Sequence, residues 1–100
     1  MTVTSVLSED SSVLTIAIEG RFDFAAHQEF RSAYEKAGTP GTYIVDLRKT
    51  TYLDSSALGM LLLLRDHAGG DNAQISLINV TADVKKILAI SNFDKLFTVE

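Results

Sequence analysis

The sequence predicts an α/β domain, a mixed β-sheet of about four to five strands with helices packed against it. Three observations lead there. Segments with a two-residue apolar period alternate along the chain with segments of helical period. Polar clusters at Ser8-Glu9-Asp10-Ser11-Ser12, Gly38-Thr39-Pro40-Gly41 and Gly69-Gly70-Asp71-Asn72 cut the chain into pieces of element length. Finally, 100 residues that are 46% hydrophobic and 22% charged suffice for one core and one domain.

Residues 2–7 and 13–19 read as two strands joined by a tight polar turn. In the second, Val13, Thr15, Ala17 and Glu19 alternate with Leu14, Ile16 and Ile18, so one face is strictly apolar. Over residues 25–37 the period changes: Ala26, Phe30, Ala33, Tyr34 and Ala37 share one helical stripe, and Gly38 with Pro40 ends it. Tyr43-Ile44-Val45-Asp46-Leu47 is the short apolar run of a strand covered on both faces. Asp54-Ser55-Ser56 supplies capping residues for a helix over 57–67. Residues 74–79 read as another buried strand. Thr81 caps a third helix with Val84, Ile87, Leu88 and Ser91 on one side, and residues 97–99 add a short closing strand.

Composition narrows the function. A net charge of −4, from 9 basic and 13 acidic side chains, lacks the basic stripe of a nucleic-acid binder. With no cysteine there is no disulfide framework and no thiolate metal site. Residues 57–64, the most apolar stretch, fall far short of the roughly 20 needed to cross a bilayer. The first residues carry no basic lead before an apolar run. The expected address is the cytoplasm, without membrane insertion. No enzyme constellation emerges: His27 and His67 each lack a second ligand at helical spacing. Gly69-Gly70-Asp71 follows a helix, whereas a phosphate loop precedes one. Asp46 and Asp54 read as turn and cap residues. Met60-Leu61-Leu62-Leu63-Leu64 is apolar around more than one face, so this helix is either unusually buried or meets a partner.

Tyr43-Ile44-Val45-Asp46-Leu47 followed by Leu53-Asp54-Ser55-Ser56-Ala57-Leu58-Gly59 resembles the STAS domain, named for sulfate transporters and anti-sigma factor antagonists. Gly20-Arg21-Phe22-Asp23 is similar to the family's lead-in to the first helix. Lys85-Lys86-Ile87-Leu88 through Phe93-Asp94-Lys95-Leu96-Phe97 is similar to the third helix and its exit, so the likeness spans nearly the whole chain. The resemblance implies a non-enzymatic switch without a cofactor. In the anti-sigma factor antagonists the first serine after the aspartate is phosphorylated, which corresponds to Ser55, with Ser56 as the alternative. It implies a serine kinase with a histidine-kinase-like ATPase fold, a cognate serine phosphatase, and an anti-sigma factor or comparable switch protein bound by the unmodified form. The implied partner-binding residues are Asp23, Asp54, Ser55, Ser56, Ala57, Leu58, Gly59 and Met60. Two departures stand out. The family usually carries glycine where this chain has Ala57, which bears on how closely a kinase approaches, and the chain ends at Glu100 with little room for a final helix. Two other readings compete: a constitutive STAS subunit of a lipid-transporting ATPase complex, and a small-molecule site at the strand ends near Asp23, Asp46 and Ser55.

Overall fold

Strand pairing begins at the polar turn. Asp10 Oδ1 accepts hydrogen bonds from the hydroxyls of Ser8 and Ser12, at 2.8 and 2.7 Å, and from the Ser12 N–H. This closes an antiparallel hairpin of β1 (Thr2–Leu7) and β2 (Val13–Phe22) in the computed structural model, which describes residues 2–100. A 3-10 turn (Phe24–Ala26) leads into α1 (His27–Glu35), followed by β3 (Thr42–Asp46), β4 (Thr50–Leu53), α2 (Ser55–His67), β5 (Ile75–Ile78), α3 (Ala82–Ile90) and β6 (Thr98–Val99). The sheet has six strands in the order β1-β2-β3-β5-β6, with β4 paired to β2, and every pair except β1–β2 is parallel.

The register sorts the sheet into two unlike faces. Leu14 lies opposite Tyr43, Ile16 opposite Val45, and these continue to Ile75 and Leu77. All six are buried in one cluster with Ala26, Phe30 and Tyr34 of the first helical segment, Ala57, Met60, Leu61 and Leu64 of α2, and Val84 and Leu88 of α3. Phe22 and Phe30 meet at 5.1 Å between ring centres, and Phe30 meets Tyr34 edge-on at 5.7 Å. The opposite face, with Thr15, Ala17, Ile44, Ser76 and Ile78, is only half-buried. The expectation that residues 43–47 are covered on both faces is therefore corrected. Ile44 alone gives the run its apolar look on the second side, where it is only half-buried.

β4, absent from the sequence reading, decides where the site lies. Asp46 Oδ1 accepts from the Arg48 N–H at 3.0 Å and from the Asn79 amide at 3.1 Å, turning the chain sharply after β3. The Thr50 N–H then bonds the Leu47 carbonyl, and the buried Thr50 hydroxyl donates to the Ile18 carbonyl at 2.9 Å. β2 switches partner here, from β3 to β4. Gly20, at φ 92°, makes that bend and donates its N–H to Lys49, a left-handed position that favours glycine.

Candidate functional site

Phe22 and Leu53 are register partners at the ends of β2 and β4, so the residues that follow them, Asp23 and Asp54, leave adjacent parallel strands side by side. Each caps the helical segment behind it. The Asp23 carboxylate accepts from the Ala25 N–H at 3.1 Å, which makes the first turn 3-10 and delays α1 to His27. Asp54 accepts from the Ala57 N–H at 3.1 Å. The cap of α2 is thus Asp54 and not a following serine, and the helix opens at Ser55, two residues ahead of the sequence expectation. Thr81 caps α3 by accepting from the Val84 N–H, as the sequence indicated.

The two serines differ in what their hydroxyls do. Ser56 Oγ donates to Asp54 Oδ1 at 2.6 Å. That bond, more than the backbone N–H groups or the charge of Arg21, holds the Asp54 carboxyl below its ordinary range against the opposing effect of burial. Ser55 is exposed, and its hydroxyl has no hydrogen-bond partner among the described residues. A helical repeat carries its outward direction on through Gly59 and Leu62, with Leu58 and Leu63 flanking. Leu62 is 42% exposed and Leu63 is 49% exposed. A Cβ built on Gly59 would meet nothing within 4 Å, so the fold itself gives no reason for glycine there.

Of the residues expected to contact a partner, Asp23, Asp54, Ser55, Ser56, Leu58 and Gly59 reach the surface at least in part. Ala57 and Met60 do not: they are 0% and 3% exposed and belong to the core. They can only hold the helix start in place. The Ala57 methyl, which replaces the family's usual glycine, is directed into the core and away from the surface a kinase would meet. The register also separates Asp46 from the site. It pairs with Ala17, six residues before Asp23, which is roughly 20 Å along the strand. A shallow cavity of ≈ 250 Å³ beside Asp46, lined by Thr4, Ala17, Glu19, Arg48 and Lys49, lies with it and not with Ser55.

Two side chains beside the site carried no sequence signal. Arg21 faces Tyr52 across β2 and β4, with its guanidinium carbon 4.1 Å above the ring centre and its Nε 3.3 Å from Asp23 Oδ2. Phe24, 73% exposed, stacks on His27 at 5.7 Å, while His67 packs against Tyr34 at 4.9 Å. Their placement depends on β4 and on the 3-10 turn, neither of which follows from local periodicity. Among the described residues, no helix is long and apolar enough to cross a membrane.

The family model described as "Mlab, STAS domain" matches residues 5–99. A STAS-domain containing protein of Pseudomonas aeruginosa (strain UCBPP-PA14) is 66% identical over 100 residues, 99% of each chain. Among solved structures, the anti-sigma factor antagonist SpoIIAA in its unphosphorylated form superposes with a TM-score of 0.83 at 19% identity, covering 99% of this chain and 88% of that one. The Bacillus cell fate determinant SpoIIAA in its phosphorylated form gives 0.75 at 18% identity, covering 99% and 91%. At such identity these structures speak for the fold, while the family model and the Pseudomonas relative carry the assignment: the chain belongs to the STAS domain family.

Proposed function

We propose that this domain is a phosphorylation-controlled anti-sigma factor antagonist that acts by binding and not by catalysis, in the cytoplasm. With Ser55 unmodified, the start and outward stripe of α2 bind an anti-sigma factor or a comparable switch protein. With Ser55 phosphorylated, that partner is released. A serine kinase with a histidine-kinase-like ATPase fold transfers the γ-phosphoryl group of ATP to Ser55 Oγ. The Oγ–P bond forms as the bond to the β-phosphate oxygen breaks, ADP leaves, and the hydroxyl proton passes to a base on the kinase. A cognate serine phosphatase hydrolyses the ester.

The observation that carries this reading is the contrast between the two hydroxyls. Ser55 is exposed and unengaged, whereas Ser56 is held at 2.6 Å by Asp54 and could accept a phosphate only by giving up that bond. A phosphate brings about −1.5 to −2 charges at neutral pH. At the exposed first residue of a helix it displaces nothing in the core, so the fold survives. A partner packed over Leu58 and Leu62 would have to desolvate that charge, and binding is lost.

The test is phosphosite mapping by mass spectrometry on protein isolated from its own cells. A phosphate on Ser55 that disappears in Ser55→Ala and persists in Ser56→Ala is expected. Phosphate confined to Ser56, or none under any growth condition, overturns the reading. A second reading, a constitutive STAS subunit of a transport ATPase complex, draws on the exposed Leu62 and Leu63, which suit a permanent interface as well as a switched one. It predicts a stable stoichiometric complex that Ser55→Glu leaves intact.

A further inference from the structure

Three of the donors at the start of α2 are already in use, while the Ser55 N–H has no partner among the described residues. The Ala57 N–H bonds the Asp54 carboxylate, the Leu58 N–H bonds the Asp54 carbonyl at 3.2 Å, and the Ser56 hydroxyl takes up the same carboxylate oxygen as Ala57. A dianion on Ser55 would stand beside an ionised Asp54, with Asp23 on the neighbouring strand end, and those two negative charges offset part of the help that the remaining free N–H groups of the helix start offer. The fold sets Arg21 next to this point. Its guanidinium lies flat on Tyr52, and its single ion pair, Nε to Asp23, is 3.3 Å long with the arginine side chain 62% exposed. Its two terminal nitrogens have no hydrogen-bond partner among the described residues. Its charge also reaches Asp54, as one of the smaller influences that keep that carboxyl ionised.

We propose that Arg21 is the built-in counter-charge for phosphoserine 55: its free terminal N–H groups turn from the Asp23 side onto the phosphate oxygens while Tyr52 keeps the guanidinium in place. The inference rests on Ser55 being the phosphate acceptor. The exchange is favourable because an exposed single-bonded ion pair contributes little, whereas guanidinium and phosphate make paired, charge-assisted hydrogen bonds. The pairing masks part of the charge that Asp23 and Asp54 would otherwise oppose, so the modified form stays folded and its helix start stays ordered.

The test needs neither kinase nor partner. Phosphoserine is installed at position 55 during translation, and its ³¹P resonance is followed against pH. In the otherwise wild-type phosphoprotein the second ionisation lies below that of the Arg21→Gln phosphoprotein by about half a unit or more, and Arg21→Lys retains part of the difference. Superposed titrations for the wild-type and Arg21→Gln phosphoproteins would overturn the proposal. The switch reading can fail on its own: a partner indifferent to phosphoserine would end it and leave the Arg21 pairing intact.

Discussion

Helices α1 and α2 lie on the same face of the same sheet and present very different surfaces to water. The inner stripe of α1 is Phe30, Ala33 and Tyr34; its outer residues Gln28, Glu29, Arg31, Ser32, Glu35 and Lys36 are polar and exposed, with Arg31 and Glu35 paired at 3.1 Å one turn apart. The inner stripe of α2 is Ala57, Met60, Leu61 and Leu64. Its outer stripe runs Ser55, Gly59, Leu62, with Leu63 alongside, and the first charged side chain is Arg65. Folding accounts for both inner stripes. It accounts for the outer stripe of α1 as a solvated face, and it leaves that of α2 without a reason inside the domain. Exposed leucines around a mid-helix glycine, starting from an unengaged serine, make sense as a surface that something else covers.

The comparison breaks most visibly if the two sides of α2 prove equivalent. Leu61→Ala removes a side chain that is 0% exposed and should cost about 2–5 kcal/mol in urea unfolding. Leu62→Ala, one position on, should fall within about 0.5 kcal/mol of wild type. Similar losses for both would mean that Leu62 serves the fold. Next in size is the effect on binding: Leu62→Asn should weaken capture of the partner by about tenfold, roughly 1.4 kcal/mol, without moving the melting temperature. An unchanged affinity would remove the outer stripe from the interface. Gly59→Ala should stabilise the isolated domain by about 0.5–1 kcal/mol, because helix propensity improves and nothing stands within 4 Å of the new methyl. Destabilisation would point to a packing role for Gly59.

The smallest effects are pH-dependent and set the polar turn beside the helix start. Hydrogen bonds from the Ser12 and Ser8 hydroxyls, in that order of strength, lower the Asp10 carboxyl to about 2, and Asp54 is lowered chiefly by Ser56. A carboxyl depressed in the folded state contributes stability above its unfolded pKa, a contribution lost as pH falls through the folded value. For Asp10 that window runs from 3.8 down to about 2. Asp10→Asn should therefore flatten the fall in melting temperature across the window, and Ser56→Ala should flatten it in the same direction through Asp54. A melting curve equally steep in Asp10→Asn would show that the turn bonds carry no such linkage.

Much of this architecture is legible in the sequence, and the gaps share a cause. Period and punctuation locate β1, β2, β3, α1, α2, β5 and α3, and short-range chemistry marks Asp54 and Thr81 as caps. β4 escapes because it has four residues, is inward only at its ends, Thr50 and Leu53, and follows β3 after three residues. Its pairing is also remote: Thr50 bonds Ile18, 32 positions earlier. Everything that depends on β4 is hidden with it, including Asp23 beside Asp54 and Arg21 beside Tyr52. The motif puts Ser55 first and Ser56 second, but which of the two hydroxyls Asp54 engages is not legible in it. The apolar run after Ser56 shows that α2 has more leucine than one core face uses. Only the packing separates Leu61 and Leu64, which are inside, from Leu62 and Leu63, which are outside.

The central claim is that the hydroxyl of Ser55 gates a surface on α2. The most direct measurement is quantitative affinity capture from the native lysate with four baits: wild type, Ser55→Ala, Leu62→Asn, and the protein carrying phosphoserine at position 55. The account predicts one protein held by wild type and Ser55→Ala and lost from both the Leu62→Asn and phosphoserine baits. The same protein held equally by the wild-type and phosphoserine baits would contradict it.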